Sequence, residues 1–171
     1  MFPKSIKLIL AIAFLSYGGF QFYENYIGNG IFLTLISGMM VLLYFKNEMI
    51  FLSFLRLRKQ DFKGTERWLN KIKNPESSLV RKQQGYFYYL HGIIQSQTNL
   101  TVAEKHFKKA IQLGLSMSHD LAMAKMSLAG IMMQKRRKRE ATTLLAEAKK
   151  LDKHGMLTDQ VKMMQQQMKR L

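Results

Sequence analysis

Thr101-Val102-Ala103-Glu104-Lys105-His106-Phe107-Lys108-Lys109-Ala110-Ile111-Gln112-Leu113-Gly114-Leu115 is the stretch whose reading decides the fold. Ala103, Phe107, Ala110 and Ile111 are spaced four, three and one apart, which places them on one face of a helix. Small residues at Ala103 and Ala110 let a second helix approach closely, and Phe107 fills the space between them. The pattern recurs after 38 residues (141 − 103), where Ala141, Leu145 and Ala148 replace Ala103, Phe107 and Ala110. Thirty-eight residues earlier (103 − 65) stand Thr65, Leu69 and Ile72, and Gly92 and Gly130 keep the same offset. Self-similarity at a period between about 20 and 50 residues is the mark of stacked helical units.

The chain has 171 residues, no Cys, two Pro, thirteen Met and a net charge of +16. Lack of Cys removes disulfides and thiolate metal sites. So few prolines favour a mostly helical chain, and the methionines suit adaptable helix packing. The charge predicts attraction to anionic partners, either phosphate or lipid headgroup, and says nothing about fold.

Two apolar runs occupy the N-terminal part, 6–23 and 27–45. Eighteen helical residues reach roughly 27 Å, close to the hydrocarbon thickness of a bilayer. The runs are therefore expected to form a transmembrane hairpin over 1–45, turning at Glu24-Asn25-Tyr26. Lys4 and Lys7 precede the first run, while Lys46, Arg56, Arg58, Lys59 and Lys63 follow the second. By the positive-inside rule both termini would be cytoplasmic, with Tyr23, Tyr26 and Tyr44 at the interfaces. The composition suits a bacterial inner membrane. Competing readings are a cleaved leader ending near Ser16-Tyr17-Gly18 and a pair of buried core helices. Gly30, Thr34 and Gly38 form a stripe of small residues along the second run, suited to packing against the first or against a partner's membrane helix.

Residues 46–171 hold 25 of the 27 basic and 10 of the 11 acidic residues, a net of +15. No Pro or Gly separates Phe45 from Glu48, so the second run is expected to continue into the next helix. Three helix pairs are predicted at about 47–73, 79–114 and 119–151, with a capping helix at 156–170. Asn74-Pro75 closes the first pair. Thr101 with Glu104 offers a capping box, and Gly114 a helix stop. Leu157, Val161, Met164 and Met168 give the last helix one apolar stripe.

Tyr88-Tyr89-Leu90-His91-Gly92-Ile93-Ile94 followed by Ala103-Glu104, Phe107 and Ala110-Ile111 resembles a tetratricopeptide repeat. So does Leu128-Ala129-Gly130-Ile131-Met132 followed by Glu140-Ala141, Leu145 and Ala148. The 38-residue period exceeds the 34 of tetratricopeptide repeats and is closer to the related Sel1-like repeats. The resemblance covers about 47–153. It implies an all-α chain in which a short solenoid of about three repeats follows the hairpin, with first helices lining a groove for a partner peptide. It implies no catalysis and no cofactor.

The residues expected to line that groove are Tyr86, Tyr89 and Ile93, with Lys82 and Lys125 nearby. Aromatic anchors flanked by cations suit an acidic or C-terminal peptide end; the alternative is that the tyrosines belong to the core between repeats. Lys135-Arg136-Arg137-Lys138-Arg139 is the strongest polar run. It is a solvated turn or a site for anionic lipid or for RNA phosphate, and it lacks the interleaved aromatics of a base-stacking surface. His91, His106, His119 and His154 form no metal-spacing pair, and no nucleophile elbow, phosphate loop or dinucleotide fingerprint occurs. The expected function is a membrane-anchored adaptor or accessory subunit. Its partner would be an integral-membrane complex or a soluble protein recruited to one. The alternative is an electrostatic tether.

Overall fold

The computed structural model describes residues 4–45 and 48–170. Lys46 and Asn47, on which the continuity of the second apolar run with the next helix depends, lie outside the described residues. So do the side chains of Lys4, Lys7 and Tyr44. Every regular element among the described residues is an α-helix. By contacts the chain divides into two units, Met1–Phe51 and Leu52–Leu171.

The first unit contains α1 (Lys4–Tyr23) and α2 (Ile27–Phe45), together with the start of α3 (Glu48–Arg58). Asn25 makes the tight turn between α1 and α2 with φ of 63°, a left-handed conformation that Asn tolerates better than most residues. The seam between the two helices is partly polar. Ser37 Oγ donates to the Ala11 carbonyl at 2.8 Å, and a Cβ on Gly18 would meet Leu33 Cβ at 3.3 Å. Of the predicted stripe, Gly30 lies under the Phe22 ring, where a Cβ would come within 2.8 Å. Thr34 is exposed, and its hydroxyl donates back to the Gly30 carbonyl at 2.8 Å. Gly38 faces open space. A Cβ on Gly18 would also meet Thr34 Oγ1 at 3.4 Å, so Gly30 and Thr34 border α1 together with Leu33 and Ser37, while Gly38 does not.

Among the described residues no helix is long and apolar enough to cross a membrane. This overturns the expectation of an integral membrane protein of the bacterial inner membrane, with spans at 6–23 and 27–45 and cytoplasmic termini. Polar side chains and glycines interrupt both runs: Ser16, Gly18, Gly19 and Gln21 in α1, and Gly28, Asn29, Gly30, Thr34, Ser37 and Gly38 in α2.

The second unit takes the C-terminal part of α3 and continues with α4 (Phe62–Leu69), α5 (Pro75–Ser78), α6 (Arg81–Gln95) and α7 (Leu100–Leu113). It ends with α8 (Ser118–Gln134), α9 (Lys138–Leu151) and α10 (Thr158–Arg170). The 38-residue period reappears in the elements themselves. Helices α4, α7 and α9 begin at 62, 100 and 138, and α7 and α9 end at 113 and 151. Their inward positions are equivalent and closed to solvent. Thr65, Leu69, Ala103, Ala110, Ala141, Leu145 and Ala148 are 0% exposed and Phe107 1%; Ile72, just beyond the end of α4, is 6% exposed. Burying a large apolar side chain contributes about 1.5–3 kcal/mol, so this row anchors each pair.

Close approach of α6 to α7 depends on Gly92, where a Cβ would meet the Phe107 ring at 3.0 Å. At the equivalent Gly130 the shorter Leu145 faces α8, and a Cβ would meet only Met164 Cε at 3.5 Å. Leu157, just before α10, and Val161 and Met168 within it close the stack; they are 3%, 1% and 7% exposed.

Capping departs from the sequence reading at one position. Asn99, not Thr101, caps α7: its Oδ1 accepts from the Thr101 and Val102 amides at 3.1 Å each. Glu104 is thereby released from a capping box and takes a different role. The short α5, with Pro75 at its first position, was not foreseen; it follows from proline's fixed φ at a helix start.

Candidate functional site

Three surfaces of the second unit carry the residues that the sequence singles out. The first is the wall of α6. Tyr86 is half-buried and its hydroxyl donates to Asp120 Oδ2 of α8 at 2.5 Å. Burial, reinforced by Asp120, pushes the Tyr86 phenol up to about 12. Tyr89 is only 6% exposed and stands edge-on to Phe107 with centroids 6.0 Å apart. It is a core residue, because one helical step from Tyr88 turns it into the α6–α7 interface. Ile93 is partly buried against the core, and Lys82 is exposed. Lys125 does not join this wall. It lies on another face of α8 and pairs with Glu147 of α9.

The second surface is the basic turn between α8 and α9. Arg136 makes the reversal with φ of 58°. Lys135 and Arg137, on either side of it, turn inward to Glu104. Lys135 Nζ reaches Glu104 Oε2 at 2.8 Å and Arg137 Nη1 reaches Oε1 at 2.9 Å. Lys108, one turn along α7, completes the set at 2.6 Å. Glu104 is 8% exposed, and the hydrogen bonds from Lys108 and Lys135 hold its carboxyl down at about 2. Arg137 also grips Glu140 through Nε and Nη2, both at 2.8 Å. Two of the five cations are thus committed to a carboxylate of the preceding pair, while Arg136, Lys138 and Arg139 are exposed.

The third surface is a cleft of about 480 Å³ bounded by α7, α8 and α9. Its floor is Ile111, Leu128, Met132 and Leu144; its rim carries Lys108, Lys125 and Arg139 against Glu140 and Glu147. The volume falls in the range of small-ligand and side-chain pockets, roughly 300–1,000 Å³. Both rim carboxylates already have cations, Lys125 on Glu147 and Arg137 on Glu140. Arg139 has no carboxylate partner among the described residues. The sequence reading placed binding on α6 and did not find this cleft. Its signal was available in the repeat offset, which puts Lys125 where the preceding pair has Phe87 (87 + 38).

On the far side of the α6–α7 pair, rings gather. Phe87 meets His91 at 4.5 Å, His91 stacks on His106 at 5.5 Å, and Tyr88 stacks on His106 at 5.9 Å. Burial, then repulsion from His106, pulls the His91 imidazole down to about 4. Among the described residues no group of three or more His, Asp or Glu could hold a metal ion. No family model, curated protein or solved structure matches the chain.

Proposed function

We propose that the helical pairs of residues 46–171 form a tetratricopeptide-like adaptor domain. Its work is to hold a segment of a partner protein, without chemistry of its own. The observation that carries this reading is the cleft between α7 and α9, an apolar floor with charged groups at its edge. This is the composition expected of a peptide-docking site, where an apolar anchor supplies affinity and rim charges supply selectivity. Support also comes from the 38-residue recurrence of helix starts and buried positions, which is how stacked-repeat binding modules are built.

The test is selection of a random peptide display library on the full-length chain, followed by affinity measurement of synthetic peptides at 0.1 and 0.5 M salt. The reading expects micromolar peptides whose affinity falls less than tenfold over that range. Retention of polyanions alone, with affinity falling steeply against log salt, would overturn it.

The exposed Arg136, Lys138 and Arg139 favour a second reading, phosphate binding at the α8–α9 turn. It is the weaker one, because Lys135 and Arg137 are already neutralised by Glu104 and Glu140. Changing Arg136 and Lys138 to Gln would abolish binding of that kind and leave the cleft in place.

A further inference from the structure

We propose that the α7–α9 cleft receives a partner segment bearing an aromatic side chain beside a carboxylate, the ring occupying space that the preceding pair fills with its own rings. This rests on the adaptor reading and names the chemistry of its partner.

The argument begins with the repeat offset. Helices α6 and α7 map onto α8 and α9 by adding 38, since α7 and α9 start at 100 and 138. Under that mapping Phe87, His91 and His106 become Lys125, Ala129 and Leu144. In the first pair the three rings pack in sequence, Phe87 on His91 at 4.5 Å and His91 on His106 at 5.5 Å. In the second pair no ring remains. One position is a methyl group, one is a leucine, and one is a lysine whose ammonium is drawn aside to Glu147. Lys125 and Leu144 are among the residues that line the cleft. Ala129 is 0% exposed in the core, so the opening lies beside two of the three positions that hold rings in the preceding pair, and its apolar floor suits the face of such a ring.

The second half of the argument is charge. The chain carries +16. Within the cleft both carboxylates are engaged by cations of the chain, whereas Arg139 is exposed and has no carboxylate partner among the described residues. A guanidinium at the mouth of an apolar pocket selects a carboxylate, which it holds in a two-pronged geometry. An acidic segment with one ring satisfies both features, whereas a basic one would be repelled.

The experiment uses the full-length chain, a random 12-residue display library, and fluorescein-labelled synthetic peptides made from the enriched sequences. The enriched peptides should carry Phe, Tyr or Trp within three residues of Asp or Glu. Lys125→Phe, which restores the side chain of the preceding pair, should weaken their binding at least tenfold. Arg139→Glu should do the same, and should recover binding when the peptide's acidic residue is changed to Lys. Circular dichroism and thermal unfolding establish that each variant folds; should Lys125→Phe not fold, the Arg139→Glu charge exchange decides alone. Enrichment of peptides lacking an acidic residue, or affinities within twofold of wild type for the variants, would overturn the inference. If binding is lost instead in Ile93→Glu, on α6, the cleft assignment falls and the adaptor reading stands. If no peptide is retained, both fall.

Discussion

Glu104 Oε1 of α7 lies 2.9 Å from Arg137 Nη1 at the start of α9, and the same carboxylate takes Lys135 at 2.8 Å. A largely buried carboxylate held by cations from the next pair is a cross-link between repeats. Its energetics are asymmetric: removing the anion leaves three cations gathered about one point.

Glu104→Ala should therefore destabilise the domain by about 2 kcal/mol, below the roughly 3–5 kcal/mol of a fully buried pair, because Lys108 and Arg137 are 51% and 41% exposed. Urea unfolding at pH 7 measures it. Adding Lys135→Met should recover part of the loss; a strictly additive double variant would argue against coupling.

Acid should weaken the fold in two stages. The His91 imidazole sits at about 4 in the folded chain against 6.5 in an unfolded one. Its folded value is depressed, so the stability tied to neutral His91 is intact above about 6.5 and is lost as pH falls from there toward 4. The difference of 2.5 units corresponds to about 3 kcal/mol at most. Glu104, at about 2 against an ordinary 4.5, contributes stability that is present above about 4.5 and lost as pH falls toward 2. In His91→Phe the urea midpoint should change much less between pH 7 and 5 than in wild type. Equal slopes would show that His91 does not carry the first stage.

Two glycine substitutions should act in opposite directions. A Cβ at Gly85 would come within 2.2 Å of the Gly114 carbonyl oxygen, a backbone atom that cannot step aside. Gly85→Ala should cost at least about 2 kcal/mol, in the range of overpacked cores. Gly130 is also mid-helix, but its Cβ would make only an ordinary 3.5 Å contact with Met164 Cε. Gly130→Ala should be neutral or stabilise by up to about 1 kcal/mol through reduced chain entropy. Melting temperatures of the two variants, recorded side by side, decide this.

Tyr86→Phe removes the hydroxyl that Asp120 accepts from. Loss of a partly buried bond of this kind costs about 1 kcal/mol, readable in a denaturant midpoint. In the intact chain Tyr86 and Tyr89 are both pushed up to about 12, and an ultraviolet titration should show two tyrosines ionising near that pH.

The repeats were legible because their signal is local and recurs. Ala103, Phe107 and Ala110 state a helix face within eight residues, and Ala141, Leu145 and Ala148 state it again. The partners of Glu104 were not legible. Three residues from Thr101 it reads as a capping box, but its cations include residues 31 and 33 positions further along, which no local pattern encodes. For the same reason the basic run does not disclose that two of its five charges, Lys135 and Arg137, turn toward Glu104. Lys125, expected near the α6 wall, lines the α7–α9 cleft and pairs with Glu147. In the first unit the length of each apolar run was plain, while the weight of the interrupting glycines and hydroxyls was underestimated.

The Glu104 cluster also limits how the domain can be divided. A fragment ending after α7 keeps the anion with Lys108 alone, and a fragment starting at α8 keeps Lys135 and Arg137 with only Glu140 to answer them. Neighbouring pairs are therefore not interchangeable modules. Any chimera or shortened version must carry donor and acceptor across the junction together, or supply a carboxylate of its own at that joint.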